Sequence, residues 1–280
     1  MVPKVSSFMS SPVITASKEE PLINVRNLML THRIGRVVIL EHGKVAGIVC
    51  KSDFSRIVFN RKRYLKPLNA IRVDEIMSTP VYAISPNKTL KSAAQFMLKR
   101  EVSSLPVIDS NGKLVGIITK HDILKAFSSK FHNIFKVSDF MVKNPLTVSP
   151  THSIYYVIDL LLQSEQKKVI VVDGGRPVGI ITKSEILNAL LGVDVNSPTV
   201  KHTHRFFKTL LYELIETHPV LIASDFMIEN PITIAQDEDL AMASDIMVKN
   251  RIECLPVTDS KGFLIGLISK DNIVRALKEV

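Results

Sequence analysis

Thr119 and Asp122 lie three positions apart in the segment GIITKHDIL, between an apolar run suited to a buried strand and a second apolar run. Thr-x-x-Asp is close to a capping box, in which the hydroxyl accepts a hydrogen bond from a later backbone N–H and the acid reaches back. The same place can bind a ligand, because a helix N-terminus attracts anions, a hydroxyl binds phosphate and a carboxylate accepts hydrogen bonds from a ribose diol. Both interpretations are open at this stage.

The segment occurs four times, which makes it part of a repeat. Each copy follows a Met-Pro segment whose methionine precedes the motif glycine by 38 or 39 residues, so each repeat is a unit of about 50 residues. Each copy also keeps a lysine. The copies are GIVCKSDFS from Gly47, GIITKHDIL from Gly116, GIITKSEIL from Gly179 and GLISKDNIV from Gly266; the methionines are Met9, Met77, Met141 and Met227; the lysines are Lys51, Lys120, Lys183 and Lys270.

The periodicity within each repeat predicts an α/β unit with the order strand, helix, strand, strand, helix. A short strand pattern follows the proline, a helix with one apolar face comes next, and two β runs split by a Gly-containing turn precede the motif. A sheet this small cannot bury both faces alone, so the repeats are expected to pair. Between the third and fourth repeats the segment HRFFKTLLYELIE predicts a helix of its own.

The four copies differ as helix caps. Thr182 with Glu185 is an even better capping pair than Thr119 with Asp122, whereas Cys50 with Asp53 has a poor capping residue. Ser269 with Asn272 loses the acid.

Composition favours well-filled cores and an anionic partner for the first half. Apolar residues make up 46% of the 280 residues, and the net charge is +9. Lys and Arg exceed Asp and Glu by 22 to 9 over residues 1–137, whereas they number 14 against 18 over residues 138–280. No apolar run is long enough to span a bilayer, so we expect a soluble, cytoplasmic protein without a membrane partner. Cys50 and Cys254 are expected to be free thiols.

Catalytic and metal-binding signatures are missing from the sequence. It has no Gly-x-Ser-x-Gly or Walker motif, and the one close histidine pair, His202 and His204, would point apart on a helix. The sequence predicts neither an enzyme nor a metal or cofactor requirement.

The repeated M-x-x-P or M-x-x-x-P, the LPV strand and the G-h-h-T-x-x-D motif resemble the cystathionine-β-synthase-type (CBS) domain. The chain looks like a four-CBS protein similar to the γ subunits of AMP-activated protein kinase and their archaeal stand-alone relatives. This resemblance implies two pseudo-twofold modules packed as a disc, with repeats one and two in one module and three and four in the other. The expected boundaries are 1–67, 68–132, 133–192, a helical insert at 193–225, and 226–280.

The resemblance also implies clefts that combine the motif of one repeat with the proline-led strand of its partner. Asp122 would hold a ribose and Thr119 a phosphate. The strand residues beside the adenine would be Val13 and Ile14 for the Asp122 cleft, Val81 and Tyr82 for the Asp53 cleft, and Leu146, Thr147 and Val148 for the cleft of Ser269 and Asn272. Thr182 and Glu185 would form the fourth. We rank the Asp122 cleft first and the Asn272 cleft second.

Basic residues before the LPV strand reach phosphates in similar proteins. The matching positions here keep a base only at Arg36 and Lys168, and Lys120 lies within the motif itself. The corresponding pairs are Gly35 and Arg36, Ser103 and Ser104, Lys167 and Lys168, and Glu253 and Cys254.

The resemblance implies a regulatory sensor that binds AMP, ADP or ATP and signals to a partner protein. One alternative is a sensor of S-adenosylmethionine or methylthioadenosine. Another is a nucleic-acid-binding or scaffold protein with empty clefts, which would use the basic linker that follows repeat one. A homodimer is compatible with either class. The basic residues of this linker are Arg61, Lys62, Arg63, Lys66 and Arg72.

Overall fold

A computed structural model describes residues 2–54, 68–164, 166–182 and 221–280. They divide into two compact units, the first within Met1–Lys130 together with Val274–Val280 and the second within Phe131–Ile273. Repeats one and two thus lie in the first unit, and most of repeats three and four lie in the second. The predicted helix of the insert and the basic residues 61–66 lie outside the described residues.

In the first unit, the described part of repeat one follows the predicted order of strand, helix, strand and strand. The proline-led segment of repeat two forms only isolated β-bridges, at Ser78 and Ile84, in place of the predicted first strand, and the rest of that repeat follows the predicted order. The elements of the first unit are β1 (Thr15–Ser17), α1 (Leu22–Thr31), β2 (Arg36–Glu41), β3 (Lys44–Cys50), α2 (Leu90–Lys99), β4 (Ser104–Ile108), β5 (Leu114–Thr119) and α3 (Lys120–Lys130), with 3-10 turns at Val5–Ser7, Leu68–Ala70 and Val73–Glu75.

The second unit repeats this order, and its proline-led segments each form two short strands. Its elements are α4 (Val137–Phe140), β6 (Val142–Lys143), β7 (Thr147–Val148), α5 (Ile154–Gln163), β8 (Lys168–Asp173), β9 (Arg176–Thr182), a 3-10 turn (Ala223–Asp225), β10 (Ile228–Glu229), β11 (Ile234–Ala235), α6 (Leu240–Lys249), β12 (Cys254–Thr258), β13 (Leu264–Ser269) and α7 (Lys270–Glu279), which begins in this unit.

The turn before the motif is built by an aspartate and a glycine in repeats two and four. In repeat two, Asp109 Oδ1 accepts the N–H groups of Asn111 and Lys113, both at 2.9 Å, and Gly112 has φ +79°. A positive φ costs glycine little, so the chain reverses here and joins β4 to β5 antiparallel. Asp259 and Gly262 form the same turn in repeat four.

The first helix of each repeat buries the predicted apolar face. In α2, Leu90, Ala93, Ala94 and Met97 are fully buried, and the Thr89 side chain accepts the Ser92 N–H at 3.1 Å as the N-cap. In α5, Ile154, Val157 and Leu161 are buried in the same way.

Repeats exchange strands within each unit, as the resemblance implied. Ser10 of repeat one forms a β-bridge with Ile117 of repeat two, and Ser78 of repeat two forms one with Ile48 of repeat one. In the second unit, β10 pairs with β9 and β6 pairs with β13, so repeats three and four exchange strands in the same way. Neither repeat of a pair completes its sheet alone.

The motif glycine is the contact point of this exchange. A Cβ at Gly116 would lie 2.9 Å from Met9 Cγ, and a Cβ at Gly266 would lie 2.7 Å from Met141 Sδ. Carbon and sulfur atoms cannot approach this closely, so only glycine leaves room for the methionine of the partner repeat. Each motif glycine therefore contacts the methionine of the partner repeat, and not the methionine that precedes it by 38 or 39 residues in its own repeat. Within the described residues, no helix is long and apolar enough to cross a membrane.

Candidate functional site

In each β-hairpin, the residue at the Thr position of the motif lies directly opposite the position at which similar proteins have a basic residue. Residues opposite each other on antiparallel strands have Cβ atoms about 5 Å apart, so the two side chains of each pair are neighbours. The pairs are Arg36 with Cys50, Ser104 with Thr119, Lys168 with Thr182, and Cys254 with Ser269. Among these pairs, only Lys168 with Thr182 combines a cation and a hydroxyl.

Thr119 and Asp122 form a reciprocal cap where β5 becomes α3. Asp122 Oδ2 accepts the Thr119 N–H at 2.9 Å and the Thr119 hydroxyl at 2.7 Å, and Thr119 Oγ1 accepts the Asp122 N–H at 3.3 Å. Asp122 is 4% exposed. The carboxylate thus uses one oxygen for the cap, and the other oxygen, Oδ1, remains for a further contact.

Lys125 provides that contact, which the sequence analysis did not identify. Its Nζ lies 3.9 Å from Asp122 Oδ1, one helical turn further along α3. The lysine side chain is 51% exposed, whereas the aspartate side chain is 5% exposed. The spacing of three residues in the sequence was the available signal, because side chains at i and i+3 of a helix are neighbours.

The Ser269 and Asn272 pair repeats the cap with an amide. Asn272 Oδ1 accepts the Ser269 N–H at 2.9 Å and the Ser269 hydroxyl at 2.5 Å. Asn272 is 5% exposed. The loss of the acid in this copy therefore does not remove the cap.

Asp53 also caps its helix, although the sequence indicated a poor capping pair. Its Oδ2 accepts the Cys50 N–H at 2.7 Å, and the residue is 1% exposed. The bond uses the backbone of Cys50, so the missing hydroxyl is not required for it. In the remaining copy, Thr182 ends β9 and is half-buried, while Glu185 lies outside the described residues.

Arg36 extends from repeat one to repeat two. Its Nη1 donates to the Ser103 carbonyl at 2.8 Å, and the same carbonyl accepts the Lys120 N–H at 3.1 Å. The guanidinium group therefore lies beside the start of the motif that contains Thr119. Lys120 and Lys168 are both half-buried.

The residues predicted to lie beside the adenine differ in their environment. Val13 and Ile14 are half-buried and connect the Ser10–Ile117 bridge to β1. Tyr82 contacts the Phe96 ring edge-to-face at 5.7 Å between centroids, and the Arg100 guanidinium lies 4.7 Å from the Tyr82 ring centre. Val81 is half-buried.

On the Asn272 side, the strand residues belong partly to the core. Val148 is 3% exposed and packs in the core of repeat three, with the half-buried Leu146 against the same cluster. Thr147 is exposed. Of the three, Thr147 and Leu146 therefore present surface that a ligand could contact.

A model of the CBS domain matches residues 5–60, 73–129, 137–192 and 223–279. These segments take up most of the sequence, and the chain therefore belongs to the CBS domain family. The matches correspond to the four repeats found from the motif spacing. Within the described residues, no group of three or more His, Cys, Asp or Glu side chains could hold a metal ion.

Two proteins match this chain over nearly all of its length. Protein MJ1225 of Methanocaldococcus jannaschii is 22% identical over 276 residues, which cover 91% of this chain and 92% of that protein. Its crystal structure, described as that of a candidate archaeal homologue of g-AMPK, matches with a TM-score of 0.73 at 20% identity and covers 98% of this chain and 99% of that chain. A conserved protein of Pyrococcus horikoshii matches with a TM-score of 0.68 at 21% identity, covering 98% of this chain and 100% of that chain. These likenesses show the fold.

Proposed function

We propose that the protein is a regulatory sensor that binds adenosine nucleotides (AMP, ADP or ATP), and that the cleft at Thr119 and Asp122 is its principal site. The proposal rests on the different contacts of the two oxygens of the Asp122 carboxylate. Oδ2 is committed to the cap, whereas the only group that Oδ1 meets in the described part of the chain is the partly exposed Lys125, at 3.9 Å. A ribose diol can donate hydrogen bonds to Oδ1 without breaking the cap.

The surroundings of Asp122 suit the other end of a 5′-nucleotide. The N-terminus of α3 presents backbone N–H groups, and the Arg36 guanidinium lies at the Ser103 carbonyl beside the motif. Arginine forms strong, charge-assisted hydrogen bonds with phosphate oxygens. A nucleotide would therefore contact repeat two through Asp122 and repeat one through Arg36 and the strand of Val13 and Ile14.

A ligand that contacts two repeats can change the equilibrium between states of the pair. The free energy for such a signal comes from different ligand affinities in the two states, and couplings of about 1 to 3 kcal/mol are typical. With no catalytic machinery evident in the sequence, the output would be association with a regulated partner protein. We expect this partner to contact the basic first half of the chain, residues 1–137.

The test is a thermal-shift and calorimetric titration of the full chain with AMP, ADP, ATP, S-adenosylmethionine and methylthioadenosine. The variant Asp122→Asn is the sharpest comparison, because Asn272 shows that an amide can make the same cap. Wild type at a ligand concentration 100 times Kd should gain about 2.7 kcal/mol of stability. Asp122→Asn should weaken AMP binding by about tenfold or more, since hydrogen bonds to a charged group contribute about 1.5 to 3 kcal/mol.

Other outcomes identify the competing functions. Responses to S-adenosylmethionine and methylthioadenosine without a response to AMP would favour the sensor of sulfur-containing adenosines. Salt-sensitive binding of RNA or DNA that ignores every adenosine ligand would favour the nucleic-acid-binding class. An unchanged AMP affinity in Asp122→Asn would remove Asp122 from the site.

A further inference from the structure

The amide of Asn272 has a defined orientation. Its oxygen accepts the Ser269 N–H at 2.9 Å and the Ser269 hydroxyl at 2.5 Å. A backbone N–H can only donate, so the group that faces Ser269 must be Oδ1. The amino group, Nδ2, therefore lies on the outer side of the amide, which faces away from Ser269.

This amino group is a buried donor without a hydrogen-bond partner among the described residues. Asn272 is 5% exposed, and both of its side-chain hydrogen bonds are made through Oδ1. Leaving a buried donor unsatisfied costs about 1 to 3 kcal/mol, so such groups usually meet a partner. The partner of Nδ2 must be a hydrogen-bond acceptor.

We call the junction of strand and helix at each motif a corner. At the Asp122 corner, the atom that corresponds to Asn272 Nδ2 accepts hydrogen bonds instead of donating them. There the outer atom is Oδ1 of a carboxylate, which accepts hydrogen bonds and lies 3.9 Å from Lys125 Nζ. A diol with free hydroxyl groups suits that oxygen, whereas a phosphate ester would meet a like charge. The Asn272 side chain carries no charge and its Nδ2 donates hydrogen bonds, so an esterified ribose oxygen can bind beside it.

The charges around Asn272 are nearly balanced. Lys270 Nζ lies 3.9 Å from Oε1 of Glu253, which precedes β12, and Asp271 lies in the first turn of α7. The lysine and the N-terminus of this ten-residue helix favour an anion, while Asp271 and Glu253 oppose it. Which ligand binds at this corner therefore depends mainly on the fact that Nδ2 is a hydrogen-bond donor.

We infer that the cleft of Ser269 and Asn272 takes an adenosine ligand that presents an acceptor at its ribose, such as a 2′- or 3′-phosphate ester. This inference rests on the proposed function, since it assumes that the clefts bind adenosine ligands. The two corners then select different ligands: a free diol at Asp122 and an esterified ribose at Asn272.

The test is calorimetric titration of the full chain with adenosine 3′,5′-bisphosphate, ADP and 5′-AMP. ADP is the matched ligand, because it carries its second phosphate at the 5′ end and keeps the diol. The informative variant is Asn272→Asp, whose carboxylate can still accept both Ser269 bonds. Bisphosphate affinity should fall about tenfold or more in Asn272→Asp, while the reverse change, Asp122→Asn, should add bisphosphate binding at repeat two. The control is Asn250→Asp, which adds the same charge at an exposed position of this unit and should leave bisphosphate affinity within twofold of wild type.

The outcomes separate the two proposals. If 5′-AMP binds but the bisphosphate does not, or if its affinity is the same in Asn272→Asp and wild type, the inference is wrong and the proposed function stands. If neither ligand binds, the proposed function fails as well. If Asn272→Asp and Asn250→Asp lowered the bisphosphate affinity equally, the loss would come from the added charge alone. That result would overturn the role of Nδ2.

Discussion

The corners at Thr119 and at Ser269 have the same backbone arrangement and opposite outer chemistry. In both, a hydroxyl residue ends a strand, and the fourth residue accepts its N–H and its hydroxyl. In the first the outer atom is a carboxylate oxygen, and in the second it is an amino group. One side chain can therefore both cap a helix and present a binding group, because each function uses a different atom.

The same two corners also differ in how the partner repeat packs on them. Met9 lies over Gly116, whereas Met141 and the Val142 carbonyl both lie over Gly266. A side chain can move aside more easily than a backbone carbonyl. The exchange of strands is therefore more tightly constrained at the second corner.

The largest effect is expected when either glycine gains a side chain. Gly116→Ala and Gly266→Ala should each destabilise the fold by about 1 to 3 kcal/mol, the usual cost of overpacking. Met9→Ala should recover most of the loss at Gly116, because the three described atoms nearest to the new Cβ all belong to Met9. Met141→Ala should recover less at Gly266, where the Val142 carbonyl would remain 3.1 Å from the new Cβ. Urea unfolding of the two double-mutant cycles measures this difference.

Strictly additive losses in both cycles would show that neither methionine opposes the new methyl group. Equal recovery in both would show that the carbonyl adds no constraint.

A smaller effect is expected from removing the capping hydroxyls. Thr119→Val loses a bond to a carboxylate and should cost about 1 to 2 kcal/mol, whereas Ser269→Ala loses a bond to a neutral amide and should cost about 0.5 to 1 kcal/mol. Thr119→Val conserves the shape of the side chain, and Ser269→Ala removes only the hydroxyl group. Hydrogen exchange of the first amides of α3 and α7 reports the local cost at each corner. A larger loss at Ser269 would mean that the charge of Asp122 does not strengthen its cap.

The smallest effect is expected from Lys125→Gln. The lysine is half exposed and lies 3.9 Å from Asp122 Oδ1, so its contribution should be at most about 0.5 kcal/mol and should vanish near 1 M salt. Lys113→Gln, at an exposed turn of the same repeat, is the matched control and should cost less. Thermal unfolding at low and high salt checks both. A loss that persists at high salt would show that Lys125 acts through packing of its aliphatic stem.

Much of the fold follows from local patterns in the sequence. The helix over Leu90–Lys99 was predicted from the spacing of apolar residues, and its buried face confirms the prediction. The motif at Thr119 was predicted to start a helix, and α3 begins at Lys120. These predictions succeed because periodicity, turn residues and caps act within a few residues of the chain.

The details of the sites were less predictable. Cys50 was judged a poor cap, yet Asp53 caps its backbone N–H, because the carboxylate needs no hydroxyl on the first residue. The Lys125 contact was missed. Arg36 was assigned to phosphate from its position alone, and its bond to Ser103 depends on how two repeats meet. The roles of Val13, Ile14, Val81 and Tyr82 in binding remain predictions.

Motif spacing and periodicity predicted the four repeats, their order of elements, and the methionine, glycine and capping residue types that each repeat contains. The tertiary structure was needed to show which methionine packs on which glycine, that Arg36 contacts Ser103, and that the atom of Asn272 facing away from Ser269 is an amino group. The physical reason is distance along the chain. Caps and turns are set by neighbours three or four residues away, whereas the environment of each motif is completed by strands that are far away in sequence.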